Sequence, residues 1–279
     1  MKRTPSEKPD IIIFDVDGVL VDASRSYPEV VSRCLLWAWI RLLDGIPDSP
    51  GFTFAHFAAT KRSPAFNDDY DIAWAAVNCA ASRRSPSLAE SLPSPAEWGK
   101  IAAGCGASDV RTWVLESFGE WVPRDVIRRA CEELYFGQEE LMAMGEEILH
   151  VRRNRGLWEE DRPLTSLSWK SLPLPSGIYT GRPLRELRQA LKLIGWQDFP
   201  GEMVVTPESG ILKPSPDGIG LLCRRAGRNI PLFLGDAESD RQSLAAFGKG
   251  IFAAIGDFLP DASMSFASPD EALSALSIL

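Results

Sequence analysis

Asp15 and Asp17 stand one residue apart, directly after the apolar run Ile11–Phe14 and directly before Gly18. Two carboxylates at the end of a buried segment repel each other and resist leaving water unless a cation or ligand compensates them. Their type and spacing therefore point to a divalent metal site and to carboxylate chemistry, either attack on an electrophile or proton transfer. Later stretches supply further polar groups: Thr180-Gly181-Arg182 after GIYT, Lys213 in ILKPSPDG, and Asp236 with Asp240 in FLGDAESD. Taken singly, each of these also reads as structure: Thr180 as a helix N-cap, the Lys-Pro segment as a surface turn, Gly-Asp as a turn after a strand. The Asp-x-Asp-Gly after a wholly apolar run has no comparable structural reading.

The elements that must position these groups follow from periodicity. Ile11–Phe14 lacks polar alternation, which suits a strand buried on both faces, as in a parallel sheet. The same alternation of short apolar strands and amphipathic helices returns after residue 177. It predicts strands at 177–180, 203–206, 231–236 and 250–256, with helices near 183–194, 216–226 and 239–247 and a last one capped by Ser268. Between 27 and 155 the apolar spacing is helical, as in Val30, Val31, Cys34, Leu35 and Ala38, and breaks at 45–53, 82–95 and 104–108 divide it into roughly six helices. Residues 156–177, with Pro163, Pro173 and Pro175, read as a connection. The first strand must pair with those after residue 177, and right-handed crossovers make that a parallel sheet. The expected architecture is thus a doubly wound α/β core of residues 1–22 and 177–279, with residues 23–176 inserted as a helical domain and its connections. Such an insertion, starting just beyond Asp17, is placed to act as a lid that excludes water. Eight of the nine tryptophans lie between Trp37 and Trp169, as core of that helical domain.

Composition narrows the function classes. The 279 residues are 45% hydrophobic and 24% charged, ordinary for a globular protein of one or two domains. A formal net charge of -8 without a basic run argues against nucleic acid. No apolar stretch reaches membrane-spanning length, and MKRTPSEKPD lacks the apolar region of a signal peptide. Five well-separated cysteines without a CxxC read as thiols of a reducing cytoplasm. His56 and His150 lie outside every motif, which disfavours histidine-centred catalysis.

In their order along the chain, IIIFDVDG, IYTGR, KPSP and FLGDAESD resemble the motifs of the haloacid dehalogenase superfamily, specifically its phosphatase-type members. The resemblance covers residues 11–22 and 177–256, a Rossmann-like core. The helical insertion is similar to the cap of that superfamily's subclass I, and SRSY (24–27) and FNDDYD (66–71) resemble segments of a little-characterised subfamily. It implies an Mg²⁺-dependent phosphatase of a small phosphorylated metabolite, cytoplasmic, monomeric or homodimeric. Asp15 is implied as the nucleophile that forms an aspartyl-phosphate, and Asp17 as the acid and base. Thr180 and the Gly181 amide would bind the phosphoryl group, and Lys213 would neutralise it. The metal would be held by Asp15, the Asp17 carbonyl and Asp236, with Asp240 in support; oxygen ligands beside a phosphate suit Mg²⁺. Arg182, Arg25 and the acidic cluster of Asn67 and Asp68 with its neighbours are candidates for reading the substrate, although Arg25 also reads as a surface arginine and the cluster as a helix start. A phosphomutase of the β-phosphoglucomutase kind shares the core motifs. A catalytically silent binding module is the reading from another class.

Overall fold

A computed structural model of the protein describes residues 8–46, 51–63, 65–66, 68–83, 85–106 and 109–279. The chain divides into two compact units, residues 1–22 with 162–279, and residues 23–161.

The chain opens with β1 (Ile11–Phe14) and the two-residue β2 (Val21–Asp22). The second unit follows, and among the described residues its helices are α1 (Tyr27–Arg41), α2 (Phe54–Thr60), α3 (Asp69–Ser82), α4 (Leu88–Ser91), α5 (Pro95–Ala103), α6 (Val110–Ser117) and α7 (Arg124–Ala143). In α3 the run from Asp69 to Ala81 is buried, its apolar residues in the core and its acids Asp69 and Asp71 ion-paired. Trp39, Trp74 and Trp98 fill this unit's core, and each indole N–H finds an acceptor, at Pro86 O, Val122 O and Thr60 Oγ1. Buried Glu133 accepts the backbone N–H groups of Leu149, His150 and Val151 at 2.6–2.9 Å, tying the segment after α7 to that helix.

The first unit resumes with β3 (Arg162–Pro163), β4 (Ser176–Tyr179), α8 (Leu184–Leu193), β5 (Val204–Val205), α9 (Asp217–Ala226), β6 (Pro231–Gly235), α10 (Glu238–Phe247), β7 (Ile251–Ile255), β8 (Ser265–Phe266) and α11 (Pro269–Ala275). Six strands form one parallel sheet in the order β5-β4-β1-β6-β7-β8. This is the expected doubly wound α/β core. The fully apolar β1 has a plain cause: Ile12 and Phe14 pack on one face with Leu187, Leu191, Trp196 and Leu273, while Ile11 and Ile13 pack on the other with Ile219, Leu222 and Leu244.

Two features differ from the expectation. The edge strand β8 and the antiparallel ribbon of β2 with β3 went unforeseen; each strand is two residues long, and such strands exist only through their partners. Residues 162–176 belong to the first unit, although sequence assigns them to the insertion. Thr165 Oγ1 and the Ser166 N–H donate to the Asp270 carboxylate at the start of α11, and Trp196 Nε1 donates to Leu167 O. Among the described residues no helix is long and apolar enough to cross a membrane.

Candidate active site

Because β1 pairs with both β4 and β6, the carboxyl ends of these strands lie side by side, where ligands bind in parallel sheets. Backbone hydrogen bonds carry the ladder one residue beyond the strands: Asp15 N–H donates to Leu234 O (2.9 Å) and Thr180 N–H to Val205 O (3.0 Å). Both residues are thereby held at the sheet edge. Lys213, from the loop between β5 and α9, brings its Nζ to 2.7 Å from Asp15 Oδ1 and 2.5 Å from Asp240 Oδ1. Its ammonium also sits 5.6 Å and 5.7 Å from the ring centres of Tyr179 and Phe233. Asp240, in the first turn of α10, accepts the N–H groups of Asp236 and Ala237 with its other oxygen, Oδ2. One carboxylate thus caps a helix and fixes the lysine.

The electrostatics follow from burial. Asp15 has its pKa raised to about 6: desolvation pushes it up, Lys213 pulls it back, and Asp240 and Asp17 push it up again. Burial works against the charge on Lys213, but Asp15 and Asp240 overcome it, so the ammonium is held more firmly than usual. Tyr179 is pushed up to about 12, chiefly by burial, which keeps the phenol beneath Lys213 neutral.

One carboxylate oxygen each of Asp15, Asp236 and Asp240 lie within 4.8 Å of one another. Hard oxygen donors of this kind suit Mg²⁺. Formal charge agrees: four carboxylates (Asp15, Asp17, Asp236, Asp240) against Lys213 and Arg182 leave -2, which a divalent cation would cancel. Asp240 is the least suited of the three to be a direct ligand, since Lys213 and two backbone amides already engage its oxygens. Gly18 makes the approach of Asp236 feasible. It has φ +73°, and a Cβ there would lie 2.1 Å from Asp236 Oδ2.

Arg182 corrects its expectation. Sequence reads it as facing substrate, yet its side chain is wholly buried and is committed to Asp17. Nε donates to Asp17 Oδ1 at 3.0 Å and Nη2 bonds the same oxygen. Its backbone N–H donates to Thr180 Oγ1 (3.1 Å), and Gly181 forms the bend between them. Sequence reasoning missed this partnership; the available signal was a charged residue wedged between Gly181 and Pro183 at the mouth of a buried strand.

The other substrate-reading candidates lie in the helical unit. Asp68 is the N-cap of α3, accepting Tyr70 N–H at 3.0 Å, and it pairs with Arg128. Asp71 holds Arg124 through two hydrogen bonds of 2.6 and 2.8 Å, and Asp69 meets Lys61 at 2.6 Å. These acids are paired with cations at a helix start, which is the structural reading of the cluster. Asn67 lies outside the described residues. Arg25 is exposed, two residues before α1. Both histidines belong to this unit; His56 Nδ1 lies 3.1 Å from Thr53 N at the start of α2, and the His150 ring lies tilted against Trp37.

A parallel sheet thus carries an acid pair just after β1, a buried lysine from the loop before α9 and a further acid pair at the start of α10. The chain belongs to the haloacid dehalogenase-like hydrolase family, whose family model matches residues 9–248. Among solved structures it is similar to a phosphatase (Tt82) from Thermococcus thioreducens, at 27% identity over 96% of this chain and 99% of that one, with a TM-score of 0.66. A haloacid dehalogenase-like protein from Agrobacterium tumefaciens shares the fold at 16% identity, over 97% and 98% of the two chains, with a TM-score of 0.53. No curated protein sequence matches.

Proposed function

We propose that the protein is a Mg²⁺-dependent phosphatase that hydrolyses a small organic phosphomonoester through an aspartyl-phosphate on Asp15. The observation that carries this reading is the contact of Lys213 with Asp15 at the end of β1, beside Asp236, in a chain of a hydrolase family. Phosphoryl transfer demands little beyond in-line positioning and neutralisation of charge on the transferring oxygens. Asp15, ionised above a pKa of about 6, attacks phosphorus at neutral pH without a helper base. Lys213 holds that carboxylate and offsets the negative charge gathered around it. Thr180 and the Gly181 amide bind the phosphoryl oxygens. Asp17 protonates the leaving oxygen and then accepts a proton from the water that hydrolyses the intermediate. Asp15, the Asp17 carbonyl and Asp236 would hold Mg²⁺, which when bound neutralises phosphoryl charge. The helical unit, inserted five residues after Asp17, is assigned the role of cap, and Arg25 at its start is a candidate for binding an anionic part of the substrate.

The test is phosphate release from nitrophenyl phosphate and from a panel of metabolite phosphomonoesters. Release abolished by EDTA, restored by Mg²⁺ and lost in Asp15→Asn supports the reading. Release that survives Asp15→Asn refutes it, and an isomeric phosphate ester formed faster than free phosphate would make the protein a phosphomutase instead.

A further inference from the structure

We infer that Arg182 is a positioning residue that locks Asp17 in one orientation, so that proton transfer runs through Asp17 Oδ2. The inference rests on the phosphatase reading and extends it to a residue outside the reacting set. Arg182 Nε and Nη2 both reach the same oxygen of Asp17, Oδ1. An oxygen that already accepts two charge-assisted N–H bonds has no favourable direction left for a proton. Oδ2 is the oxygen left to exchange one. Exposure agrees: the Arg182 side chain is 0% exposed, so water does not compete for the guanidinium, whereas the Asp17 side chain is 26% exposed and keeps an open side.

The local chain holds this clamp in place. Pro183 restricts the residue before it to extended conformations, which limits where the Arg182 side chain can go. The Arg182 N–H to Thr180 Oγ1 bond fixes the backbone from the other side. A planar guanidinium with two converging donors sets both distance and tilt of the carboxylate, which a lysine ammonium does less well. In the first half-reaction the Asp15–phosphorus bond forms, the bond from phosphorus to the leaving oxygen breaks, and that oxygen takes the proton from Asp17 Oδ2. In the second, water bonds to phosphorus, the Asp15–phosphorus bond breaks, and the water proton returns to Oδ2.

A positioning role separates from a merely structural one through the leaving group. kcat/KM covers steps up to formation of the aspartyl-phosphate, and an alkyl leaving group needs protonation there while nitrophenolate hardly does. With Mg²⁺ present, Arg182→Gln is expected to lower kcat/KM for alkyl phosphomonoesters about 100-fold, the low end of general-acid contributions, and for nitrophenyl phosphate less than about 5-fold. Arg182→Lys is expected to recover part of the alkyl-ester rate, and it decides the matter by the same split should Arg182→Gln fail to fold by circular dichroism. Equal losses on both substrates, or no loss on either, overturn the inference. A wild-type protein that releases no more phosphate than Asp15→Asn overturns the phosphatase reading itself, and this inference with it.

Discussion

Lys213→Met is the perturbation whose consequence can be worked furthest. It removes the cation 2.7 Å from Asp15 and 2.5 Å from Asp240 while keeping a side chain of similar length. Burial already lifts Asp15 to about 6, and Lys213 is the principal influence holding it back. Without it, folded Asp15 keeps its proton to higher pH, while in the unfolded chain it is ionised above about pH 4. Above pH 6 the folded variant therefore carries a proton that both the unfolded chain and the folded wild type lack. Each pH unit between the two folded pKa values widens the stability gap by about 1.36 kcal/mol, so the gap is expected to grow by up to about 2.7 kcal/mol from pH 6 to pH 8. That adds to a pH-independent loss of about 3 kcal/mol from leaving Asp240 buried without its partner. Urea unfolding in EDTA, which keeps a cation from compensating the acids, reads the growth as a midpoint difference larger by about 1–2 M at pH 8 than at pH 6. A variant folded at pH 6 and unfolded at pH 8 is the same result in stronger form. A gap identical at the two pH values would refute the electrostatic account of this site.

In the metal-free wild type, the folded pKa of Asp15 lies above its unfolded value. Its ionisation therefore removes stability as pH rises from about 4 to about 6, by roughly 3 kcal/mol, which melting temperatures across that window in EDTA will register. At saturating substrate and Mg²⁺, kcat is expected to fall as Asp15 takes up its proton on the acid side, with the limb at or below pH 6 because a bound cation favours the ionised form; a pH–rate profile flat down to pH 4 would contradict Asp15 as nucleophile. Gly18→Ala adds strain at positive φ and a methyl against Asp236 Oδ2, and Mg²⁺ titration followed by melting temperature should show affinity weakened at least about 10-fold. Asp71→Ala strips Arg124 of a paired carboxylate inside the helical unit, with an expected loss of about 1.5–3 kcal/mol in denaturation and an unchanged kcat well below the melting temperature.

What could be read from sequence had a local cause. The strands β1, β4, β6 and β7 announce themselves through apolar runs, Asp15, Thr180 and Asp236 through their places at strand ends, and Lys213 and Asp240 through the motifs KPSP and FLGDAESD; the structure brings the three acids and the lysine of that set together. What escaped was set by distant parts of the chain. The partners of Asp68 and Asp71 lie 60 and 53 residues downstream, so nothing local distinguishes a substrate-reading acid from one neutralised by arginine. Arg182 meets Asp17 across 165 residues, a pairing no periodicity encodes. Strands of two residues, β2, β3 and β8, are products of pairing rather than of propensity.

The central place of β1 bears on how the protein is made. Ile12 pairs with Ser176 and with Leu232, separations of 164 and 220 residues. At a synthesis rate of roughly 5–20 residues per second, the apolar Ile11–Phe14 segment waits on the order of 10–30 s for its first partner strand. The intervening helical unit is complete by Asp161 and can assemble on the ribosome during that wait. A nascent chain arrested when residue 161 has left the ribosome and β4 has not should then resist protease across its helices while the Asp15 strand stays cleavable. The strand that bears the nucleophile is synthesised before its partners and seated only after them.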